Sequence, residues 1–184
     1  MADLLSRRSV APPDLGDLKN SLEQAELAMS EERFADAANI ARTILKQFPE
    51  HKDASAILRN ASEGLARIQA RLHIRRGRYA MKDGQVEQAK WHFEQALLVD
   101  KNNLDARHLL ADLVFQAEQN MDKALALMKE VIVLGGQRAR YFATLGEIFL
   151  AIEDFSRAAD AFRRALELEP ENREIKKKLK LCTR

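Results

Sequence analysis

The chain has 184 residues, 46% of them apolar and 32% charged, and its basic and acidic residues nearly cancel to a net charge of +2. That balance gives no ground for nucleic acid or a membrane surface as ligand, and a single cysteine, Cys182, excludes a disulfide framework or a zinc knuckle. Proline and glycine are scarce and fall mostly at the ends of apolar runs, which suits an all-α protein long enough for one domain or a short solenoid.

The opening, MADLLSRRSVAPPD, has no apolar run beyond Leu4-Leu5, so no secretory signal is expected. No stretch approaches the roughly 18 apolar residues of a membrane span, and a cytoplasmic protein is the expectation. Residues 1–16 lack helical periodicity and are expected to be a flexible tail, with a docked arm as the alternative.

From Asp17 the apolar residues recur three and four apart. Leu18, Leu22, Ala25, Leu27 and Met29 mark one helix; Phe34, Ala37, Ala38, Ala41, Ile44 and Leu45 mark a second, closed by Pro49. Residues 52–83 then run without a turn signal until Asp83-Gly84, with Leu58, Ala61, Leu65, Ile68 and Leu72 forming one seam. The spacing predicts one helix of about 30 residues, roughly 45 Å long, or two helices parting near Gly64. Helix pairs follow over 70–103, 104–138 and 139–172. Asn102-Asn103 cap the second of these pairs, and Gly135-Gly136 stop it. Residues 173–184 form a last helix with Ile175, Leu179 and Leu181 on one side.

The pair at 139–172 is the most regular. Phe142-x2-Leu145-Gly146-x2-Phe149, then Ala158-x3-Phe162, then Pro170 resembles a tetratricopeptide repeat, with Phe in the slots of the family's Trp and first Tyr. Residues 70–103 keep Gly77 and Ala89-x3-Phe93, with Lys101 where Pro is usual. Residues 104–138 keep Leu110-Ala111 and Ala124-x3-Met128, with one extra residue within 116–120. Residues 17–51 keep only Ala37-x3-Ala41 and Pro49, with Ala25 for the glycine. The resemblance implies a right-handed α-solenoid: a weak repeat within 17–69, which also holds the first half of a long shared helix, then three tandem repeats and a capping helix over 70–184.

It also implies where ligands bind, because in stacked helix pairs the first helix of each pair lines the concave face. The residues expected there are Arg71, Ile74, Arg78, Met81 and Lys82; Asp105, His108, Asp112 and Phe115; and Arg140, Ala143, Glu147 and Leu150. They describe an apolar floor of Ile74, Met81, Phe115 and Leu150 between basic and acidic walls. Such a trough suits a peptide or helix of another protein, and an ordinary solvated inner surface is the plain alternative. Some relatives clamp a C-terminal carboxylate with paired Asn and Lys on this stripe. Here those slots hold Arg78, Asp112 or Leu109, a departure from that ligand class.

Arg67, Arg71, Arg75, Arg78 and Lys82 form a basic stripe with Arg76 beside it, and no acid interrupts residues 64–82. An acidic protein segment or a solvated face with buried Arg stems both fit. Nucleic acid fits poorly, since no aromatic residues interleave with the charges for base stacking.

Trp91 belongs to the outward side of a second helix, where it is either an interface anchor or folded over the repeat boundary. With Leu58, Leu65 and Ile68 it is the candidate surface for self-association as a homodimer or larger structural assembly. No nucleotide, nucleophile-elbow or zinc motif is present, and His51, His73, His92 and His108 lack metal-ligand spacing. The expectation is therefore a non-catalytic, cofactor-free scaffold, adaptor or chaperone-like protein.

Overall fold

A computed structural model describes residues 15–183, so the tail expected at 1–16 lies largely outside the described residues; its last two positions are already helical. The described chain is helical throughout: α1 (Leu15–Ser30), α2 (Phe34–Gln47), α3 (Lys52–Lys82), α4 (Val86–Val99), α5 (Leu104–Gln116), α6 (Met121–Val133), α7 (Ala139–Ala151), α8 (Phe155–Leu168) and α9 (Arg173–Cys182). Residues 52–82 are one unbroken helix of 31 residues. The helices form an α-solenoid in which sequence neighbours pack on one another, divided into two compact units, Met1–Ala66 and Arg67–Arg184.

The first unit is built on alanine. Ala25 and Ala28 of α1 and Ala37, Ala38 and Ala41 of α2 are fully buried, and with Ile57 and Ala61 of α3 they make its core. Side chains this small let helix axes approach closely, but they bury little apolar area apiece. Phe34 supplies the bulk, its ring lying where a Cβ on Gly64 would stand, 2.6 Å away. Leu58 packs against this core and is half-buried.

The second unit alternates a small residue on the first helix of a pair with a large one on the second. A Cβ on Gly77 would meet the Phe93 ring at 2.5 Å, and one on Gly146 would meet the Phe162 ring at 2.7 Å. Ala111 and Met128 share the same core in the middle pair. On α3 the residues buried in this unit are Ala70, Ile74, Gly77 and Ala80, so the seam expected through Leu72 is not the buried one. Ile175 and Leu179 of α9 close the end by packing on the cluster around Phe162.

Caps and turns are local and regular. Asn103, Asn120, Asp154 and Asn172 each accept a hydrogen bond from the backbone N–H three residues on, satisfying a free donor of the helix they begin. Each turn within a pair contains a left-handed residue: Glu32, Gly84, Gln119 and Glu153, with φ between 54° and 71°. The extra residue of the 104–138 pair is absorbed in the turn that holds Gln119.

Candidate functional site: the row of first helices

In the second unit the first helices, α5 and α7, touch directly, and their facing polar groups show which side chains share a surface. His108 Nε2 lies 2.9 Å from Thr144 Oγ1. Both groups are buried, and the imidazole packs on the Tyr141 ring at 5.0 Å between centroids. Burial and the nearby Arg140 and Arg78 guanidinium groups lower the His108 pKa to about 4, against the partial counter-effect of Asp105. His108 is thus a neutral internal residue at pH 7, which corrects its expected place on the groove wall.

Asp105 is the second joint. Arg138 donates to its two oxygens at 2.8 and 3.1 Å, and Arg140 and the Tyr141 hydroxyl donate to Oδ1. Burial alone would raise the carboxyl pKa. The hydrogen bonds from Tyr141 and Arg140, with the charges of Arg140 and Arg138, outweigh it and hold the group below the ordinary range. Arg140 is therefore engaged in joining two repeats and is not a free cation of the groove.

Further along the row, Glu147 on α7 forms an ion pair with Lys178 of α9. Asp112 on α5 is half-buried, and burial together with the like charge of Glu147 raises its pKa. Phe115 and Leu150 are each half-buried against the core.

On α3, Ile74 is only 8% exposed, in a cluster with Ala70, Ala96 and Ala106, so it is core and not groove floor. Met81 is half-buried. Arg71, Arg78 and Lys82 are exposed. No ion pair among the described residues involves Arg67, Arg71, Arg75, Arg76, Arg78 or Lys82.

The expected stripe thus resolves into three kinds of residue. Ile74 and His108 belong to the interior. Arg140 and Glu147 are neutralised within the fold. Arg71, Arg78, Met81, Lys82, Asp112, Phe115 and Leu150 keep surface available to a ligand. Lys178 is the member that sequence reasoning missed; its position three after Ile175, on the terminal helix, was the available signal.

Outside the row, Trp91 is 53% exposed and sits edge-on to the His92 ring at 4.9 Å and the His73 ring at 5.8 Å. The Nδ1 atoms of His73 and His92 are 3.2 Å apart. Burial, His73 and Arg76 all lower the pKa of His92. Leu65 and Ile68 are half-buried. Among the described residues no group of three or more His, Cys, Asp or Glu side chains could hold a metal ion, and no helix is long and apolar enough to cross a membrane.

Tetratricopeptide-repeat family models match residues 22–58, 80–148 and 139–172. No curated protein matches the sequence. Among solved structures, the first such domain of Spaghetti (RPAP3), bound to the HSP90 peptide SRMEEVD, superposes with a TM-score of 0.60 at 20% identity, over 64% of this chain and 92% of that one. The second domain of human RPAP3, in complex with the HSP70 peptide SGPTIEEVD, gives 0.57 at 21% identity, over 66% and 98%. MamA gives 0.56 at 14% identity and spans more of this chain, 86%, and 81% of its own. At such identities the superpositions show the fold alone. With the three family matches, and the small-against-large packing of each pair in the second unit, they establish that the chain belongs to the tetratricopeptide-repeat family.

Proposed function

We propose that this protein is a non-catalytic interaction scaffold whose row of first helices, α3, α5 and α7, takes a peptide or helix from a partner protein with an acidic segment. The observation that carries the reading is the inequality of charge along the row. Asp105 and Glu147 are each matched by basic side chains of the fold, whereas Arg71, Arg78 and Lys82 at the opening of the row have no ion-pair partner among the described residues. Exposed cations beside half-buried Met81, Phe115 and Leu150 offer an acidic ligand both charge and apolar contact. The peptides carried by the two RPAP3 structures, SRMEEVD and SGPTIEEVD, are themselves acidic toward their ends, which supports this ligand class.

The test is photo-crosslinking in the native host from a benzophenone amino acid at position 115, with the same group at exposed position 129 on α6 as control. A partner captured from 115 alone, and lost with Arg78→Glu and Lys82→Glu, is the expected result. Equal capture from both positions, or capture indifferent to the charge reversal, rejects the reading. Once the partner is in hand, Phe115→Ala is expected to weaken its binding by about 1–3 kcal/mol.

A further inference from the structure

The C-terminal half of α3 carries a second surface, which shares only Arg71 with the groove. At 3.6 residues per turn, Ala70, Ile74 and Gly77 turn one side of the helix into the core, and Ile68, Leu72 and Tyr79 emerge on the opposite side. Leu72 is 39% exposed and Tyr79 is 59% exposed. Ile68, Arg71, Leu72 and Arg75 line a shallow hollow there. Arg71 and Arg75 border the apolar ridge on one side and Arg76 borders it on the other.

Two features distinguish this face from an ordinary solvated one. On α8 and α9 several exposed cations are matched within a turn, as in Arg157 with Asp154, Arg163 with Asp160, Arg164 with Glu167 and Lys177 with Glu174. On α3 from Gly64 to Lys82 there is no Asp or Glu, so neighbouring like charges repel along the helix. The apolar ridge also sits within this unmatched charge, where solvent would favour polar side chains.

We propose that this face of α3 is a docking site for an acidic amphipathic helix of a partner protein, about four turns long to match the run from Arg67 to Lys82. Its leucine-like side chains would lie along Ile68, Leu72 and Tyr79, and its flanking carboxylates would meet Arg71, Arg75 and Arg76. The charge selects this occupant over the two available within the chain itself. A second copy presenting the same face would set arginine against arginine. Residues 1–14 carry Asp3 and Asp14 against Arg7 and Arg8, with no net negative charge to offer. The proposal does not rest on groove binding, because Arg71, at the border of the two surfaces, is the one residue they share.

The full-length protein is titrated into a fluorescein-labelled helical peptide of about 16 residues, with leucines spaced four, three and four apart and glutamates on either side. A scrambled peptide and a lysine-for-glutamate peptide are the controls, and circular dichroism checks that each variant stays helical. The designed helix is expected to bind and both controls to fail. Leu72→Asp, and Arg75→Glu combined with Arg76→Glu, are each expected to weaken binding about tenfold or more, while Phe115→Ala in the groove changes it less than about twofold. No binding of the designed helix, equal binding of the scrambled peptide, or sensitivity to Phe115→Ala but not to Leu72→Asp overturns the proposal. So does a dimer in analytical ultracentrifugation that Leu72→Asp dissolves, which would make a second copy the occupant. Binding that appears only after deletion of residues 1–14 would assign the face to that segment and overturns it equally.

Discussion

His108 and its neighbours concentrate two physical roles in one position. The imidazole fills space against Tyr141 and bonds Thr144, and it does so as a neutral group because burial and two nearby guanidinium groups resist its protonation. The unfolded chain has no such resistance, and its histidine takes a proton near pH 6.5. Between that value and about 4 the unfolded state binds more protons at this site, so stability falls as pH falls, by about 1.4 kcal/mol per unit. Urea midpoints for wild type and His108→Gln, compared at pH 7 and pH 5, are expected to show a loss of about 2 kcal/mol in wild type in excess of that in the variant. Equal losses would show that His108 titrates freely.

Glycines at two positions separate conformational strain from steric exclusion. Gly84 sits at φ 71° with nothing within 4 Å of where a Cβ would stand, so Gly84→Ala is charged only with backbone strain, about 1–2 kcal/mol. Gly77 is helical, and an added methyl there meets the Phe93 ring at 2.5 Å. Gly77→Ala gains helix propensity of about 1 kcal/mol but must displace a fully buried ring, a strain of about 1–3 kcal/mol. Thermal melts are expected to restore much of the Gly77→Ala loss when Phe93→Leu is added, and to show no such coupling for Gly84→Ala.

At the scale of the element, each pair is held by a few large side chains seated on small ones. Phe162 of α8 is fully buried over Gly146 of α7, and its truncation leaves a ring-sized void between two helices. Phe162→Ala is expected to cost about 3–5 kcal/mol in denaturant unfolding. Phe115 keeps part of its surface in solvent, and Phe115→Ala should cost clearly less. Equal costs would move Phe115 into the core and remove it from the groove. The terminal helix has a double role in the same region, since Ile175 covers the Phe162 cluster while Lys178 neutralises Glu147. A last repeat without such a lid would present an apolar face to water.

At the scale of the molecule, the two compact units differ in how they are filled. The second carries Phe93, Leu113, Met128, Tyr141, Ile148 and Phe162 at or near full burial, whereas the first depends on alanines and Phe34. Residues 67–184 expressed alone are expected to remain helical and to unfold cooperatively. Residues 1–66 alone, with three helical segments and little apolar area to bury, are expected to show weak or no cooperative transition. A sharp melt of the short fragment, matching that of the long one, would overturn this ranking of stabilities.

The family, the helix pairs and the caps were legible in the sequence because each is specified by local spacing. Ala158-x3-Phe162 repeats along one helix face, Asn103 and Asp154 precede their helices, and the absence of any turn signal between Lys52 and Lys82 leaves one helix. The candidate site was legible only as a stripe of positions. Which members of the stripe stay available depends on partners far away in the chain. Asp105 is matched by Arg138 and Arg140, Glu147 by Lys178, and His108 by Thr144, each more than thirty residues distant. Ile74 and Leu72 lie two residues apart and look alike in a periodic pattern, yet one is core and the other surface. A helix with apolar residues on two sides does not specify which side its neighbours will cover, and only the packing of α4 and α5 against α3 decides it.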